Sequence, residues 1–125
     1  MEKFYKPNTV AILFNEKLSD SEDLANKIKN NISDDFEVFV QSVGASLQNT
    51  LPSNPDLLIS IGGDGTILRC AKVLNGTNCP ILGINMGNLG FLCEIDSSDV
   101  DSKLQKYLSG DAVIETRNKL KINLV

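Results

Sequence analysis

Residues 57–66 read Leu-Leu-Ile-Ser-Ile-Gly-Gly-Asp-Gly-Thr, an apolar run that stops in a turn made almost wholly of glycine. A continuous apolar run of this length, bounded by turn residues, is the mark of a strand buried on both faces inside a parallel sheet. The glycines end that strand at a price in conformational entropy. Such a turn presents one carboxylate, that of Asp64, together with bare backbone N–H groups at the carboxyl end of the strand. A helix is expected to begin at once behind it, over about residues 66–74, with Ile67, Cys70, Ala71 and Leu74 as its inner stripe. Its positive end points at the same place. The arrangement suits a ligand that carries phosphate.

The rest of the chain repeats the alternation. Residues 9–15 are β-branched and apolar and read as a second buried strand; Ser19-Asp20-Ser21-Glu22 reads as a helix start, with Leu24, Ala25, Ile28 and Ile32 on one face. Residues 36–40 alternate and read as a strand nearer an edge. Residues 44–55 are polar, contain Pro52 and Pro55, and read as a loop with room for a short helix. Residues 80–85 form another apolar strand, and Ser98 stands where it would cap a helix that turns Val100, Leu104 and Leu108 inward and ends at Gly110. Residues 112–114 and 120–125 are strand-like. The pattern predicts an α/β, Rossmann-like, mostly parallel sheet with helices on both faces. Ligands bind such sheets beyond the carboxyl ends of the strands, where both glycine-rich loops of this chain fall. The expected division is a nucleotide- and phosphate-binding domain over 1–112 and, from 113 to 125, the start of a second domain cut short at a strand that lacks a turn or cap.

At 125 residues the chain has the size of one ordinary domain, 42% hydrophobic and 22% charged. A net charge of −4 argues against a nucleic-acid or acidic-membrane surface. No apolar run approaches the ~20 residues needed to span a bilayer, and the first seven residues lack the apolar core of a signal peptide. A cytoplasmic protein with reduced thiols is expected, since Cys70, Cys79 and Cys93 form no metal-binding spacing. There is no histidine, so proton transfer falls to a carboxylate, Lys, Tyr, Cys or water.

The turn itself is neither a Walker A loop, which requires a lysine, nor a dinucleotide fingerprint, because Leu68 occupies the last glycine position. Gly62, Gly63, Gly65 and Thr66 offer backbone to phosphate oxygens, and Asp64 can accept a hydroxyl proton or hold Mg²⁺. Arg69 lies one helical turn beyond Gly65, within reach of a bound phosphate, though an exposed helix arginine is ordinarily a solvated charge. Residues 83–91, Gly-Ile-Asn-Met-Gly-Asn-Leu-Gly-Phe, make a second strand-to-loop cluster. Asn85 and Asn88 can bond a ribose or an amide there, while Phe91 serves equally as a pocket wall or as core. The residues indicate no dedicated set of metal ligands.

Gly62-Gly63-Asp64-Gly65-Thr66, followed about twenty residues later by residues 83–92, resembles the N-terminal domain of NAD kinases over nearly the whole chain. The resemblance implies transfer of the terminal phosphoryl group of ATP, or of polyphosphate, to the adenosine 2′-hydroxyl of NAD, giving NADP, with Mg²⁺ or another divalent metal. It makes Asp64 the proton acceptor and places Asp64, Gly65 and Arg69 against the dinucleotide. Phe91 falls beside adenine, with Asn85 and Gly87 near it. Glu115-Thr116-Arg117 resembles that family's passage into a second, all-β domain, so the chain is expected to be an incomplete half, inactive alone and homo-oligomeric in the full-length protein. Lipid kinases and phosphofructokinases share the glycine turn, and a non-catalytic nucleotide-binding module is the alternative of another class.

Overall fold

Strict alternation in three central strands decides which helix covers which face. The computed structural model describes residues 2–4, 6–87, 90–110, 112–117 and 120–124, with the backbone alone for Glu2, Phe4 and everything after 110. In β2 (Thr9–Phe14), Val10, Ile12 and Phe14 enter one cluster and Ala11 and Leu13 the other. In β4 (Leu57–Gly62), Leu57, Ile59 and Ile61 join the first and Leu58 the second. In β5 (Ile81–Asn85), Leu82 and Ile84 face the first and Ile81 the second. The first cluster is closed by α1 (Ser21–Ile32) through Ala25, Ile28 and Ile32, and by α4 (Val100–Leu108) through Leu104 and Leu108. On the other face lie α2 (Val43–Gln48), through Val43, and α3 (Asp64–Leu74), through Ile67, Cys70 and Leu74. Side chains such as Ile12, Ile59 and Ile84 are fully buried, each worth about 1.5–3 kcal/mol relative to exposure.

β3 (Glu37–Ser42) pairs parallel with β2, β2 with β4, and β4 with β5. The order β3-β2-β4-β5 sends the chain to one side of β2 and then to the other. The carboxyl ends of β2 and β4 therefore flank a topological switch point, where helices leave toward opposite faces and a crevice opens. Beyond β5 the sheet continues with β6 (Ile95–Asp96), parallel to its carboxyl end, and β8 (Leu120–Leu124), parallel at Ile81. β8 pairs antiparallel with β7 (Ala112–Arg117), which in turn pairs antiparallel with β1 (Glu2–Phe4). The fold is α/β, Rossmann-like and mostly parallel.

Two local expectations change, and a third, the α1 start, holds with a different capping pattern. α3 begins at Asp64 rather than Thr66, with Gly63 as its N-cap, so the acidic residue belongs to the helix. Ser98 does not cap α4: it sits in a short 3₁₀ turn, and its hydroxyl donates to Asp96 Oδ2 at 2.7 Å. At α1 the acidic Asp20 occupies the N-cap in a left-handed conformation (φ 70°) without a side-chain bond, while Leu24 is only half-buried. The Ser21 hydroxyl instead donates to the carbonyls of Asn15 and Leu18 at 2.6 and 2.9 Å. β1 and β6 were not foreseen, because strands of three and two residues are too short to carry a period.

Candidate functional site

The β4–α3 turn is tight enough that its glycines divide into two kinds. A side chain at Gly62 would overlap the Thr66 hydroxyl, which is buried beneath it. The Thr66 hydroxyl accepts from the Gly63 N–H at 3.4 Å, and the Gly63 carbonyl accepts from Thr66 and Ile67 at 3.1 and 3.2 Å. Gly62 thus serves the fold. Gly63 and Gly65 are different: an added Cβ at either would meet nothing within 4 Å among the described residues. They are bare where the protein does not require it, and they border open space. As the first and second residues of α3, Asp64 and Gly65 carry N–H groups with no acceptor inside the helix.

That space is a cleft of about 600 Å³ at the switch point. Gly63, Asp64, Gly65, Thr66 and Arg69 supply its β4–α3 wall, Asn15 and Leu18 the wall after β2, and Met86, Gly87 and Gly90 the wall after β5. The Met86 N–H donates to the Gly62 carbonyl at 2.8 Å, and Asn15 N–H to Ile61 at 3.0 Å, so hydrogen bonds extend all three strand ends to the rim. Arg69 stands 3.9 Å from Glu16, whose other oxygen accepts from the Gly44 N–H at 2.8 Å. This half-buried pair holds a guanidinium at the cleft edge, where an anion could take it over.

Asp64 binds inward as well as lining the cleft. Its Oδ2 accepts from the Phe91 N–H at 2.9 Å and its Oδ1 from the Leu92 N–H at 3.0 Å. Gly90 has no side chain because the Asp64 carboxylate fills the place a Cβ would take.

Of the residues singled out from sequence, Gly63, Asp64, Gly65, Thr66, Arg69 and Gly87 line the one cleft. Gly62 lies behind it. Asn85 is buried and donates to Asp96 at 3.3 Å, while its own Oδ1 finds no donor among the described residues. Phe91 is 90% exposed, so it is not core, and it stands outside the cleft wall. Asn88 lies outside the described residues. Asn15, Glu16, Leu18 and Gly90 were missed; the first three follow a strand that neighbours β4 only in space. Hydrogen bonds from Ser98 first, and then Asn85, hold the Asp96 carboxyl below its ordinary range.

Among the described residues no cluster of three or more His, Cys, Asp or Glu could hold a metal. Burial pushes the Cys70 and Cys93 thiols up to about 11 and Cys79 to about 12, unsuited to thiolate ligation. The cleft offers the single carboxylate of Asp64. That matches Mg²⁺, which is usually held by one or two carboxylates, several waters and the phosphates of a substrate. Among the described residues no helix is long and apolar enough to cross a membrane.

The model of the ATP-NAD kinase N-terminal domain matches residues 7–112. An NAD kinase of Clostridium tetani is 42% identical over 92 residues, covering 73% of this chain and 33% of that protein. An NAD kinase of Clostridium beijerinckii is 42% identical over 113 residues, covering 82% and 37%. The chain thus spans about a third of the length of these relatives. Among solved structures, an NAD kinase from Archaeoglobus fulgidus in complex with ATP superposes with a TM-score of 0.62 over 90% of this chain and 45% of that one, at 22% identity. Yeast NADH kinase complexed with NADH gives 0.68 over 88% and 38%, also at 22% identity. These two likenesses establish the fold.

Proposed function

The chain belongs to the NAD kinase family through its N-terminal domain, and from that premise we propose that it is the phosphate-binding half of an NAD kinase. The reaction is transfer of the terminal phosphoryl group of ATP, or of polyphosphate, to the adenosine 2′-hydroxyl of NAD. A bond forms from the 2′-oxygen to phosphorus, the bond from phosphorus to the leaving phosphate oxygen breaks, and the hydroxyl proton passes to Asp64. The products are NADP and ADP, or shortened polyphosphate. Phosphoryl transfer asks a protein chiefly for positioning and charge neutralisation. The N–H groups of Asp64 and Gly65 and the end of α3 supply donors for phosphate oxygens, and Arg69 supplies a charge it can transfer from Glu16. Mg²⁺, held by the phosphate oxygens of the donor and by water, would neutralise charge on the transferring group and leave the Asp64 carboxylate to take the proton. With no histidine in the chain, a carboxylate acceptor in the cleft fits the chemistry.

One observation carries this reading: Gly63 and Gly65 are bare toward the cleft although the fold leaves room for a side chain at both. Close approach of a ligand to the backbone is the physical reason for such a pair. We further propose that residues 113–125 lead into a second, all-β domain that completes the NAD site, that the full-length protein is a cytoplasmic homo-oligomer, and that residues 1–125 alone do not turn over. The test is NADP formation from NAD, ATP and Mg²⁺ by the full-length protein. Asp64→Asn should leave it folded and lower turnover by about 10²–10⁴-fold. Turnover near normal in that variant would overturn the role of Asp64, and phosphorylation of a lipid with none of NAD would overturn the assignment.

A further inference from the structure

We propose that Asp64 and the loop of Gly90, Phe91 and Leu92 form a clamp: the loop fixes the carboxylate in one orientation, and the carboxylate keeps the loop docked at the cleft. The proposal rests on the reading of Asp64 as proton acceptor, which it deepens by naming what positions that acceptor. Two consecutive main-chain N–H groups donate to different oxygens of one carboxylate, at 2.9 and 3.0 Å, from 27 and 28 residues along the chain. Holding both oxygens removes the freedom of both side-chain torsions, where a single bond would leave rotation about the carboxyl axis. An ionised carboxylate has about four acceptor sites, so capacity for a further donor remains on the group that lines the cleft.

Gly90 is fitted to the clamp, since any side chain there would occupy the place of the Asp64 carboxylate. Phe91, whose N–H is one of the two donors, exposes 90% of its surface.

Amide hydrogen exchange in the full-length protein tests the clamp before any substrate is added. In Asp64→Asn, whose amide puts an N–H₂ group against one of the two donors, Phe91 and Leu92 should exchange at least tenfold faster while amides of β4 and β5 keep their rates. Unchanged exchange at Phe91 and Leu92 would overturn the clamp even if that variant were inactive. Gly90→Ala keeps the carboxylate but displaces it, and should lower kcat at least tenfold with less than a threefold change in KM for ATP. Wild-type kcat in Gly90→Ala would overturn the positioning role. Lost protection in Asp64→Asn with normal NADP formation would leave the clamp standing and remove only the proton-acceptor reading.

Discussion

The two glycine-rich loops follow neighbouring strands and look alike on paper, yet they are built on opposite principles. The loop after β4 is held by its own helix: Thr66 packs under Gly62, Gly63 caps α3, and the bonds that close it lie within five residues. The loop after β5 is held at Gly90, Phe91 and Leu92 from outside, by a carboxylate belonging to the first. One loop is a local solution and the other a borrowed one. The comparison shows that a glycine has to be judged by what stands over it: Gly62 and Gly90 make way for the protein's own atoms, while Gly63 and Gly65 make way for nothing among the described residues.

Single methyl groups can break that distinction. Gly62→Ala should have the largest effect on stability, because the obstruction is the buried Thr66 side chain. Overpacking of this kind typically costs about 1–3 kcal/mol, and the thermal unfolding midpoint followed by circular dichroism should fall by roughly 4 °C per kcal/mol for a domain this size. An unchanged midpoint would show that the two kinds of glycine are not distinct. Gly65→Ala should move the other way. It lies inside α3 with open space above it, so stability should rise by up to about 1 kcal/mol on helix propensity. Affinity for ATP, measured by calorimetry on the same protein, should nonetheless fall about tenfold, near 1.4 kcal/mol. Loss of stability, or binding at wild-type strength, would place Gly65 with Gly62.

The smallest effect belongs to the far end of the second loop. Asp96 is held below its ordinary range chiefly by the Ser98 hydroxyl, so Ser98→Ala should raise its value when titrated by carboxyl NMR. Because the folded value lies below the unfolded one, about 3.9, this bond helps the folded state above that pH and stops helping as pH falls through the folded value. The variant should therefore differ from its parent near neutrality and converge with it in acid. A larger difference in acid than at pH 7 would reverse the assigned sign.

Sequence exposed the parts of this arrangement that are contiguous. The runs in β2, β4 and β5 are mainly apolar because both faces of those strands are covered, and the cleft residues 63–66 and 69 lie close together along the chain. The start of α3 was placed two residues late, since Gly-Asp-Gly reads as a turn while the packing of Thr66 under Gly62 draws Asp64 into the helix. Asn15 and Leu18 reach the cleft, and Glu16 reaches Arg69 at its edge, only because β2 lies beside β4, a fact of sheet order. The bonds from Phe91 and Leu92 to Asp64 use main-chain donors, which every residue but proline possesses, and so leave no mark on residue type.

The three thiols give the molecule built-in clocks. At neutral pH a thiol near 11 has over a hundredfold less thiolate than an ordinary one near 8.5, so alkylation of the closed protein should be slow at Cys70, Cys79 and Cys93. Cys70 sits on α3 and Cys93 directly follows Leu92. Modification at Cys93 would then time each release of the borrowed loop, and modification at Cys70 the rarer loosening of the helix, in one sample and with no substituted residue.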